Sequence, residues 1–343
     1  MTTLCEGRGA ALTPRYDLAG DRTKRLLLTC AGRRVGLMHC FQHEAQNLGI
    51  GLKIIACDLD PRLSPACRLA DTMLQLPPVT DPSYVDEVIR ICVMHDVTLV
   101  VPTIDPELLP LSQARERFTA IGADLVISSP ALVRLARDKL ETARFLAAHD
   151  IPAPKTDELR AARDAPHEWQ WPLMVKPRHG SASRGISVAT NPQELPTEVN
   201  EPMVVQEFLT GTEYTVNIFF DSQGQFRAAV PHQRLRVRAG EVEKGTTCRH
   251  AALHDIAEKL AAALPGPRGA LCFQAIVSDS QDVSVFEINA RFGGGYPLAD
   301  AAGARFTKWI LEEHAGLPST ASNESWRDNL TMLRYDAALF VAP

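Results

Sequence analysis

The chain is poor in the features that mark several large classes of protein. It carries no block of lysines and arginines, and its 36 Lys and Arg are outnumbered by 41 Asp and Glu, for a net charge of −5. A surface built to track nucleic acid needs the opposite balance, so no nucleic acid partner is expected. The longest apolar runs fall far short of a membrane span, and no membrane partner is expected either. Eight cysteines (Cys5, Cys30, Cys40, Cys57, Cys67, Cys92, Cys248 and Cys272) are scattered, and none stands in a C-x-x-C pair. That spacing argues against structural zinc and for reduced thiols in a cytoplasm. The N-terminus lacks the basic-then-apolar pattern of a secretory leader. The G-x-S-x-G nucleophile elbow is missing, and so is the G-x-x-x-x-G-K-[ST] phosphate loop. What is present is ordinary: 45% hydrophobic and 22% charged residues, the make-up of a globular protein. At 343 residues, two or three domains with ample core are expected.

Hydrophobic patterning divides the chain. Buried strands are predicted at RLLLTCAG (25–32), LKIIACDLD (52–60), VTLVVPTID (97–105) and ADLVISS (123–129). Helical patterns lie between them, including one over 107–122 that tolerates Pro110. Strands alternating with helices give βαβ units and a parallel, doubly wound sheet over residues 24–128. Ser129-Pro130 starts a helix that runs to about His149, with a break near Asp138. The proline-rich stretch 151–172 reads as a linker or excursion. From 173 onward the strands are antiparallel candidates, with a hairpin turn at FDSQGQF and helices at about 252–264 and 303–316. The second half is therefore α+β.

Four segments carry chemistry. In VKPRHGSASRGI (175–186) a lysine leaves an apolar strand and enters a loop rich in glycine and serine. Gly180 and Gly185 free the backbone, and small residues let amides approach an anion, which suits either a phosphate lid or a polar hairpin. VVQEFLTGTEY (204–214) offers a strand edge, an apolar wall and a carboxylate, as an ordinary strand–turn–strand also does. In VFEINARFGGG (285–295), residues two apart share a face, so Glu287, Asn289 and Arg291 point one way. Apolar neighbours bury them, and a buried acid, amide and guanidinium fit a cation–phosphate site. In HQRLRVRAG (232–240), Arg234, Arg236 and Arg238 alternate and would line one face, either to meet an anion or to guard an edge strand. Two H-x-x-x-H pairs, His39/His43 and His250/His254, suggest no third ligand and read as packed or solvated.

In this order and spacing, the segments resemble the ATP-grasp superfamily: Lys139 in RDKLETARFL, the Lys176 loop, QEFLTG-E and EINAR-GGG. TCAGRR, ACDLDPRLSPACRLAD and VVPTIDPELLPLS look like the domain that precedes it in carbamoyl-phosphate-synthase-like ligases, the group that includes the pyrrolysine-pathway ligase. The resemblance covers about residues 24–316. It implies an α/β N-terminal Rossmann-like (pre-ATP-grasp) domain followed by an α+β ATP-grasp fold. The expected divisions are a flexible extension at 1–22, the Rossmann-like domain at 23–128, a small subdomain with the lid loop at 129–210, and a C-terminal subdomain with the metal site at 211–343.

The roles implied by the resemblance follow residue by residue. Lys139 and Lys176 look like the nucleotide-phosphate lysines, and Gly180, Ser181, Ser183 and Gly185 like the loop over the triphosphate. Gln206, Glu207, Phe208 and Leu209 look like the adenine hinge, with Glu213 on the ribose. Gln274, Glu287 and Asn289 match the metal ligands; the first is acidic in other branches, and glutamine there resembles the carbamoyl-phosphate-synthase branch. Arg291 matches the arginine facing the transferred phosphoryl group, and Arg236 and Arg238 would hold the carboxylate or acyl phosphate. The implied cofactors are ATP and Mg²⁺, or Mn²⁺ in its place. The implied reaction joins a small, amino-acid-like carboxylate to an amine through an acyl phosphate, in an enzyme that is a homodimer by family analogy. Two other expectations stand beside it: a bicarbonate-using carboxylase or carbamoyl-phosphate-type enzyme, and an inactive ATP-binding regulatory protein.

Overall fold

A computed structural model describes residues 23–180 and 184–341. The expected extension at 1–22, and Ser181 and Ser183 of the expected lid, lie outside the described residues.

The first sheet has five parallel strands, β1 (Lys24–Thr29), β2 (Leu52–Asp58), β3 (Thr72–Gln75), β4 (Leu99–Pro102) and β5 (Asp124–Leu125), in the order β3-β2-β1-β4-β5. Leu26–Leu28, Ile54–Cys57 and Leu99–Val101 are buried, as strands covered on both faces by crossover helices must be. These helices are α1 (Val35–Asn47), α2 (Pro65–Leu69), α3 (Tyr84–Met94), α4 (Asp105–Gln113) and α5 (Arg115–Ala120). The sequence showed four of the strands. It missed β3, whose half-buried and exposed residues alternate at the sheet edge, so that no apolar run marks it. The helix expected over 107–122 is two helices parted at Ala114.

Neighbouring strands leave β1 in opposite directions along the sheet, to β2 on one side and β4 on the other. The loops after β1 and β4 therefore diverge and open a crevice at the carboxyl ends. Thr103 pins this point by donating its hydroxyl to the carbonyls of Thr29 (3.0 Å) and Cys30 (2.8 Å). Fully buried Glu107 accepts from the amides of Thr103 (2.7 Å) and Ile104 (3.0 Å) and from the Tyr84 hydroxyl (2.5 Å). The start of α4, and with it Asp105, is thereby fixed.

The helix expected to run to His149 is broken at Asp138 into α6 (Pro130–Arg137) and α7 (Lys139–Ala148). The Asp138 carboxylate caps α7, accepting from the amides of Leu140 (3.0 Å) and Glu141 (3.3 Å). A four-stranded antiparallel sheet follows, β6 (Thr156–Glu158), β7 (Leu173–Pro177), β8 (Ser187–Ala189) and β9 (Met203–Glu207), ordered β6-β9-β7-β8. The proline-rich stretch is thus no linker: it holds β6 and α8 (Leu159–Asp164). Leu159, Ala162 and Trp169 build a separate small core with Leu173, Val175 and Val205.

The last sheet is antiparallel and six-stranded, with β10 (Thr212–Phe220), β11 (Phe226–Arg238), β12 (Glu241–Thr247), β13 (Gly269–Val277), β14 (Val283–Asn289) and β15 (Thr331–Leu333), ordered β14-β13-β10-β11-β12-β15. The FDSQGQF hairpin forms as its chemistry predicts, Asp221 accepting from the amides of Gln223 (2.9 Å) and Gln225 (2.8 Å). Helix α9 (Ala251–Ala263) crosses between β12 and β13, and α10 (Tyr296–Ala302) and α11 (Phe306–His314) follow β14. The helix expected at 303–316 is α11, which begins at Phe306 after Gly303, at φ 114°, ends α10. Leu26 and Leu28 of β1 share a core with Phe219, Phe306 and Trp309, so the parallel sheet and the six-stranded sheet are packed together.

Candidate active site

A cavity of about 610 Å³ is lined by residues of the two antiparallel sheets and of the segments that follow β1 and β4. Two lysines face it from different elements. Lys176 ends β7, is buried, and donates to Gln206 Oε1 at 2.7 Å, while Gln206 Nε2 donates to Thr156 at 2.7 Å. Lys139 opens α7 and donates to the Gly180 carbonyl at 2.6 Å. The two elements are clamped together. Arg178 makes a two-pronged pair with Asp138 (2.7–2.9 Å), and the Lys139 amide donates to the Arg178 carbonyl at 3.1 Å. Burial pushes Lys176 down to about 8, with Glu287 opposing the shift and Lys139 adding to it. Lys139 is lowered too, again chiefly by burial. Two desolvated ammonium groups held side by side need an anion.

Opposite them stands β14. Glu287 and Asn289 share its cavity face, and Arg291 follows. Arg291 donates to Asp105 at 2.8 Å, to Asn289 Oδ1 at 3.1 Å and to the Phe292 carbonyl at 3.0 Å. Burial lowers its affinity for its proton, but Asp105 and the other negative groups around it outweigh that and raise it. Its Nε is buried without a partner among the described residues, a donor left for something else.

Gln274 pairs across the strands with Glu287. With its amide assigned by its neighbours, its NH₂ donates to Glu287 at 3.1 Å and its oxygen accepts from Arg234 at 2.8 Å. The expected ligand oxygen is therefore engaged, and in this structure Gln274 holds Glu287 rather than aiming an oxygen at a cation. Glu213 lines the cavity and pairs with Arg234 at 3.1 Å. Of the expected hinge, Gln206, Glu207 and Leu209 line the cavity; Phe208 is partly exposed outside it. Gly180 lines it as well, and Gly185 adopts φ 69°.

The arginine face needs correcting. Bulges between Arg234 and Arg236 and between Arg236 and Val237 break the alternation. Arg234 turns inward and its side chain is 5% exposed. Arg236 (67% exposed) pairs with Glu243 at 3.0 Å, and Arg238 (51% exposed) pairs with Glu243 at 3.3 Å and Asp336 at 2.5 Å. Neither lines the cavity. Sequence reasoning had missed Arg33, Arg34, Asp105 and Glu241, which do. The signal for the first three was their place directly after β1 and β4, where the strand order reverses.

The triple glycine is explained by close approach. A Cβ on Gly294 would stand 2.7 Å from the Glu241 carboxyl carbon, and one on Gly295 would stand 2.6 Å from His232 Nε2 and 2.8 Å from Val242. Only hydrogens let this loop lie against β11 and β12.

The fold around this cavity is that of an ATP-grasp enzyme. Residues 26–126 match the family described as "PylC-like, N-terminal domain" and residues 136–295 match "ATP-grasp domain". The chain belongs to the ATP-grasp superfamily, with a PylC-like domain ahead of its ATP-grasp domain. It is 32% identical over 155 residues to a formate-dependent phosphoribosylglycinamide formyltransferase of Synechococcus, covering 43% of this chain and 36% of that one. It is 26% identical over 167 residues to a phosphoribosylamine–glycine ligase of Yersinia pestis, covering 44% and 39%. The chain thus spans less than half the length of these curated relatives. Among solved structures, biotin carboxylase from Campylobacter jejuni in a β,γ-ATP complex superposes with a TM-score of 0.71 at 16% identity, covering 89% of this chain and 74% of that one. At that identity the likeness shows the fold. Among the described residues, no helix is long and apolar enough to cross a membrane.

Proposed function

We propose that the protein is an ATP-dependent carboxylate–amine ligase working through an acyl phosphate. One observation carries this reading: a buried and a half-buried lysine, a carboxylate, an amide and a half-buried arginine, from helix α7 and the two antiparallel sheets, converge on one cavity. Lys139 and Lys176 would hold the nucleotide phosphates, and Gln206, Glu207 and Leu209 the base. Glu287 and Asn289 suit Mg²⁺, being hard oxygen donors on one strand face beside an arginine with an open N–H. Bound there, Mg²⁺ supplies charge neutralisation to the phosphate oxygens. Gln274 fixes the carboxylate of Glu287, and Asp105 fixes the plane of Arg291.

A carboxylate is a weak electrophile. Its oxygen attacks the γ-phosphorus, the bond to the β-phosphate oxygen breaks, and ADP leaves. The amine lone pair then forms the C–N bond. The C–O bond to phosphate breaks with its electron pair on phosphate, and the nitrogen gives up one proton. Arg291 and the two lysines stabilise the charge on the moving phosphoryl group, and excluding water during turnover would limit hydrolysis of the acyl phosphate. No enzyme nucleophile is required.

The test is phosphate release from ATP with paired amino acids, read together with product mass. Glu287→Gln is expected to cut that release by about a hundredfold or more. Full activity in that variant refutes the site. Bicarbonate-dependent release without any amine points instead to a carboxylase.

A further inference from the structure

The cavity has a second cationic end, away from the lysines. We infer that Arg33 and Arg34 form an anion subsite for the amine substrate, so that the amine joined by this enzyme itself carries a carboxylate or phosphate group. This rests on the ligase reading above.

Arg34 is mostly enclosed, with a side chain 17% exposed. The protein gives it little in return. It donates to the Thr103 carbonyl at 3.3 Å and stands 3.7 Å from Glu241. A guanidinium has five N–H donors in a fixed fork, and these contacts leave most of that fork open. Glu241 is shared as well, because its closer partner is Arg334 at 3.1 Å. Arg334 is held in turn by the carbonyl of Gly294. Arg33 lines the same end of the cavity from an exposed position and feels Glu241 and Asp336 through charge. Three guanidiniums therefore share Glu241, and the other carboxylate that acts on Arg34, Asp105, is already paired with Arg291 at 2.8 Å. Two cavity arginines nearer the lysines differ: Arg291 has Asp105 at 2.8 Å and Arg234 has Glu213 at 3.1 Å.

The backbone adds to the deficit. Arg34 is the N-cap of the thirteen-residue helix α1 and gives it no side-chain cap, so the positive end of the helix faces the same place. That place is the point where strand order reverses, the crevice where open α/β sheets take ligands. Arg34 and Arg291 are near enough to repel each other. An anion seated on Arg34 would thus bring the rest of its molecule up to the site where the acyl phosphate forms. Glu241, beside it, is placed to meet an ammonium group.

The experiment uses the full chain with ATP and a panel of amines: the common L-amino acids, their carboxamides, the matched decarboxylated amines, and O-phosphoethanolamine against ethanolamine. Amine-dependent phosphate release and product mass are read for each. The amine joined is expected to be anionic. Its neutral counterpart should lose about tenfold or more in kcat/KM, the loss of a charge-assisted pair, mainly through KM. Preference for the acids or for O-phosphoethanolamine identifies the anion as carboxylate or phosphate. Arg34→Gln should abolish the discrimination while the KM for ATP stays unchanged. If Arg34→Gln fails to fold, Arg33→Gln at the exposed mouth should show the same effect in weaker form. Equal use of neutral and anionic amines, or discrimination that survives both substitutions, overturns the subsite and leaves the ligase reading intact. No amine-dependent release from any member overturns the ligase reading, and this inference with it.

Discussion

Lys176 offers a measurement in which function and stability pull apart. Its ammonium group is buried, and burial brings its pKa from 10.5 to about 8. Between those values the unfolded chain binds a proton that the folded one has released, so stability rises with pH across that window. From pH 7 to about pH 9.5 the gain from this one group is about 2 kcal/mol. Lys176→Met keeps the aliphatic stem and removes the charge. It also strips Gln206 Oε1 of its 2.7 Å partner, which costs about 1–3 kcal/mol. At pH 7 the relief of the buried charge and the orphaned amide oxygen nearly cancel, so the variant should match the parent closely. By about pH 9.5 the parent has gained and the variant has not, and the variant should trail by about 2 kcal/mol. Urea titrations of both proteins at the two pH values give that difference, and groups common to both drop out of it. ATP affinity should fall by about tenfold to a hundredfold at pH 7, as for loss of a charged hydrogen bond, and by less at about pH 9.5, where Lys176 of the free parent is mostly neutral. Parallel pH dependences in the two proteins, or unchanged ATP affinity, would refute the reasoning.

Three further outcomes are expected. Arg236→Ala and Arg238→Ala should leave kcat and KM for both substrates unchanged in steady-state assays, because both side chains pair outside the cavity. Gly295→Ala places a methyl 2.6 Å from His232 Nε2 and should cost about 1–3 kcal/mol in chemical denaturation, as overpacking does. Asp138→Ala removes the cap of α7 and the pair with Arg178 and should cost about 2 kcal/mol. It should also raise the KM for ATP through Lys139. Although burial opposes it, Arg178 holds the Asp138 carboxyl below its ordinary value. Its stabilisation is therefore present above the usual carboxylate range and lost as pH falls from there through the lowered folded value, and the variant should lack that part of the acid limb.

The EINAR-GGG strand shows how far local pattern reaches. Period two places Glu287, Asn289 and Arg291 on one face, and the structure keeps the first two there because β14 pairs regularly with β13 from Glu287 to Asn289, past a bulge between Val285 and Glu287; Arg291 follows the strand. The same rule fails on Arg234, Arg236 and Arg238, because two bulges in the β11–β12 pairing leave the first turned inward and the others out. A bulge is set by how neighbouring strands pair, and nothing in HQRLRVRAG announces it. Arg34 and Asp105 were hidden for a related reason. They lie about seventy residues apart and meet only because β1 and β4 are neighbours in the sheet. The triple glycine has no local explanation until β12, which no apolar run announces, is seen packed against it.

By itself the sequence determined the elements whose signals are local: buried strands from apolar runs, the Asp138 break, the Asp221 hairpin, and the lysine loop and EINAR strand in their telling order. Tertiary structure alone decided what each polar group meets. It turned Gln274 into the holder of Glu287, paired Arg291 with Asp105, neutralised Arg236 and Arg238 at the surface, and left Arg34 short of partners in the cavity. The reason is physical: apolar periodicity is written into consecutive residues, whereas the partner of a buried charge is supplied by whatever strand the fold lays beside it.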